Sequence, residues 1–176
     1  MKRILIIGCS GSGKSTLARE LATRLSLPCI HLDQLFWKPD WVKSEHAEFD
    51  QKLQAELEKD RWILDGHFDR SIPTRLSYAD TVILFNYPRL LCLWRVWKRV
   101  RTYRGTTRPD MTEGCEERFD WDFMKYIWSF RKTRLPRVRE ALAAAGHVRV
   151  IEIKRKKDLD AFYALLEQEQ AQQSQA

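Results

Sequence analysis

The sequence predicts an α/β protein built on a five-stranded parallel sheet with helices on both faces. Short runs rich in aliphatic and β-branched residues alternate with longer stretches of helical periodicity. The short runs are apolar throughout and do not alternate, as strands covered on both sides require. The 176 residues suit one domain with a continuous core, and no repeat or linker-like stretch divides them.

The first strand is residues 2–7, ending at Gly8, and a helix follows in which Leu17, Ala18, Leu21, Ala22 and Leu25 share a face. Pro28 closes the turn into a second strand, 29–32, which leaves Asp33 at its carboxyl edge. Phe49, Leu53 and Leu57 mark another helix. A third strand, 62–64, runs into Asp65-Gly66, and a fourth, 81–85, ends near Asn86 and Pro88. A helix from about Leu90 to Tyr103 is expected to bury Leu90, Leu93, Trp94, Trp97 and Val100. Beyond a polar loop, 105–115, a long helical stretch is expected to bend at Pro136. Residues 148–153 supply the fifth strand, and a helix carrying Leu159, Phe162, Tyr163 and Leu166 closes a domain of residues 1–167. The Gln-rich tail, 168–176, is expected to fray.

With 44% hydrophobic and 31% charged residues, the composition is that of a soluble globular protein. Cys9, Cys29, Cys92 and Cys115 form no metal-binding spacing and read as free thiols of a reducing compartment. The apolar run 4–7 is too short for a signal-peptide core or a membrane span, so the expected setting is the cytoplasm, with no membrane partner. The formal net charge of +7 attracts phosphates, which suits a nucleotide, a nucleic acid or plain solubility.

One segment carries specific chemistry. Gly8-Cys9-Ser10-Gly11-Ser12-Gly13-Lys14-Ser15 is a complete GxxxxGK[ST] motif between a strand and a helix. Its glycines let successive amides turn inward onto a polyphosphate at a helix N-terminus. Lys14 brings a full charge to the β- and γ-phosphates, and the Ser15 hydroxyl is a magnesium ligand. Gly8, Ser10, Gly11, Ser12, Gly13, Lys14, Ser15 and Thr16 are therefore the expected contacts of ATP, with Mg2+ as its counter-ion.

In an open parallel sheet the ligand crevice lies beyond the carboxyl ends of the strands, where Asp33 and Asp65 stand. A carboxylate there can hold magnesium, orient its waters, or take a proton from an attacking hydroxyl; otherwise it caps a helix or closes a turn. Asp65 with Ser15 is the expected metal pair, with Asp33 the alternative carboxylate for the ion; both aspartates are expected acceptor contacts, Asp33 is the expected base, and His31 is a structural histidine.

The stretch Ile63-Leu64-Asp65-Gly66-His67-Phe68-Asp69-Arg70 resembles the third-strand segment of adenylate-kinase-like nucleoside monophosphate kinases, and Arg108-Pro109-Asp110 with Arg118 is similar to their lid. The P-loop taken with His31-Leu32-Asp33, Leu35-Phe36-Trp37, Asp65-Gly66 and Thr107-Arg108-Pro109-Asp110-Met111 more closely resembles bacterial adenylate-kinase-related proteins catalogued as "DNA topology modulation protein". The resemblance implies a three-layer P-loop NTPase fold, ATP and magnesium as ligands, and a mobile arginine-bearing lid near 104–118. It departs from true adenylate kinases at His67-Phe68-Asp69, and in the aromatic segment after Asp33 where an AMP-binding helix would begin.

Phosphoryl transfer needs cations on the transferring group. By position, Arg104 and Arg108 are the lid arginines, and Arg70 and Arg118 are possible clamps on an acceptor whose pocket Trp37 helps wall. Trp94, Trp97 and Trp128 sit at helical spacing and read as core. The cluster Arg131, Lys132, Arg134, Arg137 and Arg139 is either a solvated face or a nucleic-acid contact. The function expected is an ATP-dependent kinase acting on a small acceptor; the alternative is a nucleic-acid-associated ATPase.

Overall fold

A computed structural model of the chain describes residues 1–173. The strands of the main sheet are β1 (Arg3–Gly8), β2 (Cys29–His31), β5 (Trp62–Asp65), β6 (Thr81–Phe85) and β7 (Arg149–Ile153), with β3 (Trp37–Lys38) and β4 (Val42–Lys43) forming a separate antiparallel pair. The helices are α1 (Lys14–Leu25), α2 (Leu32–Phe36), α3 (His46–Leu57), α4 (Ile72–Tyr78), α5 (Arg89–Thr102), α6 (Trp121–Thr133), α7 (Leu135–Ala144) and α8 (Lys156–Gln173). No helix among the described residues is long and apolar enough to cross a membrane.

The sheet runs β2-β5-β1-β6-β7 with every pair parallel, and the side chains of Ile4 to Ile7 on its central strand are wholly buried. Parallel register brings the carboxyl ends together. Ile6 pairs with Asp65, His31 pairs with Asp65, and Gly8 pairs with Phe85. The end of β1, Asp65 at the end of β5 and the start of α2 after β2 thus open onto one edge, the edge where such sheets bind ligands.

Several elements differ from expectation for local physical reasons. Leu32 begins α2 instead of ending a strand, so Asp33 stands in the first turn of a short helix. The aromatic segment after it folds back as the β3–β4 hairpin, whose turn holds Asp40 and Trp41 at φ of 61° and 59°. The bend expected at Pro136 is a break at Arg134 between α6 and α7. Proline removes one helical N–H and crowds the preceding turn, so Pro136 sits at the start of α7, where neither effect costs anything. Helix α8 continues to Gln173 through most of the stretch expected to fray, and residues 174–176 of that tail lie outside the described residues.

The largest correction concerns tryptophan. α5 buries Cys92 and Val96, while Leu90, Trp94 and Trp97 are 67%, 55% and 47% exposed and Trp128 on α6 is 48% exposed. Small residues face inward because α5 runs close to the Gly8–Ser15 loop; a Cβ at Gly11 would lie 2.5 Å from the Cys92 carbonyl oxygen. Bulky rings cannot occupy that contact, and they turn outward.

Arg75 is fully buried on α4, and its guanidinium donates to the backbone carbonyls of Gly66, His67, Phe68 and Ser71. Burial pulls its pKa down to about 9, against the support of the Asp65 and Asp69 charges. The side chain holds the turn after β5 in shape. Arg75→Leu, which leaves those buried carbonyls without a donor, should lower unfolding free energy by about 3 kcal/mol in urea titrations. Arg75→Lys should recover only part of the loss, because an ammonium cannot reach several carbonyls at fixed fork geometry.

Candidate nucleotide and acceptor site

The loop leaving β1 turns at Gly8, where φ is 138° and a Cβ would come within 2.3 Å of the Phe85 carbonyl oxygen. Only glycine permits that approach. At the far end Gly13 caps α1, and Lys14 opens the helix with its Nζ donating to the Cys9 carbonyl at 3.0 Å. The ammonium is thus folded over the loop whose amides and helix N-terminus make an anion cradle. Arg95 on α5 donates to the Ser12 carbonyl at 3.0 Å and fastens the cradle from the side. The neighbouring Cys92 thiol and burial together push the pKa of the Cys9 thiol far up and keep it neutral.

Below the cradle, His31 Nδ1 and Asp65 Oδ2 are 3.0 Å apart and both side chains are buried. Burial alone would lower the His31 pKa, but the hydrogen bonds with Asp65 and Cys29 prevail and raise it to about 10. His31 is therefore an imidazolium that orients Asp65. Asp33 has the opposite environment: burial, reinforced by the charges of Asp65 and Asp110, raises it to about 6 against the pull of Arg108 and Lys14.

A cavity of about 650 Å³ opens over these groups. Ser10, Gly11, Gly13, Lys14, Ser15 and Thr16 form one wall, and Asp33, Trp37, Trp41 and Lys43 another. Arg95 and Arg99 of α5 close the side, and the loop after α5 supplies Arg108, Asp110, Glu117 and Arg118. That loop reaches across to the hairpin. Thr112 Oγ1 donates to the Trp37 carbonyl at 2.6 Å, the Trp41 indole to the Glu116 carbonyl at 2.9 Å, and the Asp40 amide to the Gly114 carbonyl at 3.2 Å.

Of the expected site residues, the structure gathers Lys14, Ser15, Thr16, Asp33, Trp37, Arg108 and Arg118 around this cavity. Gly8 and Ser12 shape the cradle from within, and Asp65 lies one layer behind, against His31. Two assignments are corrected. Arg70 is exposed and makes a two-pronged pair with Asp50 at 2.8 and 2.6 Å, because the turn after β5 carries it outward. Arg104 is exposed and lies outside the cavity, while Arg108 is held inside it by Asp110 at 2.7 Å and Glu117 at 2.6 Å. Lys43 is not foreseen from the sequence, and Arg95, Arg99 and Asp110 stand in the expected basic helix face and lid segment without an individual role. The i,i+4 spacing of Arg95 and Arg99 was legible as a shared face, but nothing in the spacing says which face meets the cradle.

Magnesium suits what is present. The Ser15 hydroxyl and Asp33 carboxylate on the wall are hard oxygen donors, and Asp65 Oδ1 is buried without a hydrogen-bond partner. Among the described residues no cluster of three or more acidic, histidine or cysteine side chains could hold a metal by itself, so the ion would be held jointly with phosphates and water.

Two expectations follow. Lys14→Ala should abolish the calorimetric signal for MgATP while leaving the melting temperature of the free protein unchanged within a few degrees. The raised His31 pKa means that the His31–Asp65 pair adds stability fully below pH ~6.5, where histidine is protonated even unfolded, and loses it as pH rises through about 10. Urea titrations of the wild type should show stability falling from pH 7 to 10, and His31→Gln should flatten that slope.

A protein-family model described as an AAA domain matches residues 4–103, more than half of the chain. An adenylate kinase from Clavibacter michiganensis is 30% identical over 94 residues, 52% of this chain and 46% of that protein. The uncharacterized protein YqaC of Bacillus subtilis is 33% identical over 103 residues, 56% of each. The chain thus spans about half the length of the curated relatives it matches. Among solved structures, shikimate kinase from Acinetobacter baumannii in complex with shikimate aligns with TM-score 0.55 at 17% identity, covering 98% of this chain and 94% of that one. The Bacillus subtilis YorR protein in complex with phosphorylated GDP aligns with TM-score 0.54 at 18% identity, covering 96% and 97%. The likeness establishes a three-layer α/β P-loop NTPase fold.

Proposed function

From the premise that the chain belongs to the AAA-domain family, we propose that it is an ATP-dependent kinase that passes the γ-phosphoryl group to a small acceptor. The observation that carries this reading is that Lys14 of the cradle and the Asp33 carboxylate face one cavity closed over by arginines. The adenylate kinase among the sequence relatives supports phosphoryl transfer as the reaction class and leaves the acceptor open. The working compartment on this reading is the cytoplasm, where ATP is present and four free cysteines stay reduced.

In this mechanism Lys14 and the loop amides hold the β- and γ-phosphates. Ser15 and Asp65 are the residues that would hold Mg2+, which when bound offsets charge on the phosphate oxygens. The acceptor lies between Asp33 and the hairpin, with Trp37 and Trp41 as apolar walls and Lys43 and Arg118 available to an anionic substituent. Where the acceptor is a hydroxyl, its oxygen bonds to the γ-phosphorus as the bond to the β–γ bridging oxygen breaks, ADP departs, and the proton passes to Asp33. A carboxylate with its pKa near 6 is a stronger base than an ordinary aspartate and is still ionised at neutral pH. Arg108 and Arg118 lie where charge spreads over the equatorial oxygens. The 103–120 loop clasped to the hairpin excludes water while they react.

ADP formation measured against a panel of nucleotides, nucleosides, sugars and hydroxy acids should rise sharply with one chemical class. Asp33→Asn should then lower kcat on the order of 10²- to 10⁴-fold. Because the base must be ionised, wild-type kcat/KM should fall as pH drops through about 6, and the variant should lose that acid limb. If no small molecule stimulates turnover and Asp33→Asn leaves basal hydrolysis unchanged, the kinase reading is wrong.

A further inference from the structure

The outward-facing tryptophans of α5 and α6 are not absorbed by the nucleotide site. Trp94, Trp97 and Trp128 are joined by Phe119 at 46% and Trp121 at 71% exposure. These rings line a groove of about 1030 Å³ that shares no lining residue with the nucleotide cavity, with Leu93 and Met124 also contributing to its walls. So much contiguous apolar surface marks an interaction site rather than scattered exposure.

The charge around the groove decides what it fits. Arg89 lies 3.8 Å from the Trp128 ring centre, Arg101 4.8 Å from that of Trp97, and the Lys98 ammonium 5.7 Å from that of Trp94. Arg137 lines the groove, and among the described residues neither it nor Arg89, Lys98 or Arg101 has an ion-pair partner. Among the described residues that line the groove Asp122 alone is acidic, and it is paired with Lys125 at 3.0 Å. A second copy of this chain would set one basic rim against another, which electrostatic complementarity disfavours. An occupant must present planar apolar faces and negative charge together.

We propose that the α5–α6 groove binds single-stranded nucleic acid, bases stacking on the exposed indoles while backbone phosphates meet Arg89, Lys98, Arg101 and Arg137. Single strands offer an unstacked base beside each phosphate, and stacking on aromatic platforms tolerates any sequence. Duplex DNA hides its base faces and offers this groove only phosphate. The basic run 131–139 contributes through Arg137 at the groove, while Arg134, also lining it, is paired with Asp69 and Arg139 is turned to Glu152 at 2.9 Å.

The test is fluorescence anisotropy of a dye-labelled oligothymidylate of about 15 nucleotides, within the span a compact domain covers, titrated with the full chain at several salt concentrations. Trp97→Ala and Trp121→Ala should each weaken binding roughly ten-fold. Trp97→Phe, which keeps a stacking ring, should retain most of it and shows that loss in the alanine form is not loss of fold. Arg101→Gln should reduce the slope of log affinity against log salt by roughly 0.7. MgATP affinity should be unchanged in all four, so this outcome is independent of the kinase reading. The proposal is overturned by absence of saturable binding at low salt, by binding indifferent to the tryptophan changes, or by a duplex competing as well as the single strand. It is equally overturned if phosphatidylserine vesicles perturb the indole fluorescence and the oligonucleotide does not, or if sedimentation shows a dimer that Trp97→Ala dissolves with no oligonucleotide bound.

Discussion

The organisation of the site depends on how closely the end of the central strand lies against its neighbours. At Gly8 the backbone of β1 touches that of β6, and at Gly11 the loop touches the carbonyl of Cys92 on α5, so that neither position has room for a Cβ. Curling the loop this tightly turns its amides inward and sets Lys14 at the head of α1, over the Cys9 carbonyl. The same contact forces small residues onto the inner face of α5 and aligns Arg95 with the Ser12 carbonyl. This close backbone approach thereby shapes the anion cradle and sends the tryptophans of α5 to the opposite side.

Around that cradle the charges are arranged by role. His31 is held as a cation against Asp65 below, where burial by itself would have made it neutral. Asp33, buried and with two carboxylates in its field, is pushed toward neutrality and so becomes more basic than an ordinary aspartate. Two acidic residues at one edge of the sheet thus meet different surroundings: Asp65 lies against His31, and Asp33 stands on the cavity wall. Arg108, locked between Asp110 and Glu117, is oriented before any ligand arrives.

The clasp between the 103–120 loop and the β3–β4 hairpin depends on backbone carbonyls and on few side chains: Thr112, Trp41 and Cys115 reach Trp37, Glu116 and Lys38 respectively. It joins two segments about 75 residues apart in sequence, as the separation of Thr112 from Trp37 shows. Such contacts are exposed or half-buried hydrogen bonds and not core packing, which is the kind of region that opens locally at low cost. A cavity walled on one side by a rigid sheet edge and on the other by this clasp can admit a ligand without disturbing the fold.

Much of this was legible in the chain itself. The strand–loop–helix around Gly8 to Ser15, the strands at 62–64 and 81–85, and the acidic residues at the strand ends follow from local rules, since glycine, proline and apolar periodicity act over a few residues. What periodicity could not say is which face of an amphiphilic helix meets the sheet. α5 carries small residues on one side and tryptophans on another, and only its distance from the cradle decided that Cys92 and Val96 go in and Trp94 and Trp97 stay out. Likewise Arg70 and Arg104 were equal to Arg108 and Arg118 as basic residues near the right segments. Their fates separated because the fold, not the local pattern, decides which carboxylate each arginine meets, Asp50 for Arg70 and Glu117 for Arg108. The residue order by itself determined the elements and the phosphate-binding turn, which are short-range matters of backbone geometry. Which charges and rings share a cavity was settled by long-range packing, which no local pattern encodes.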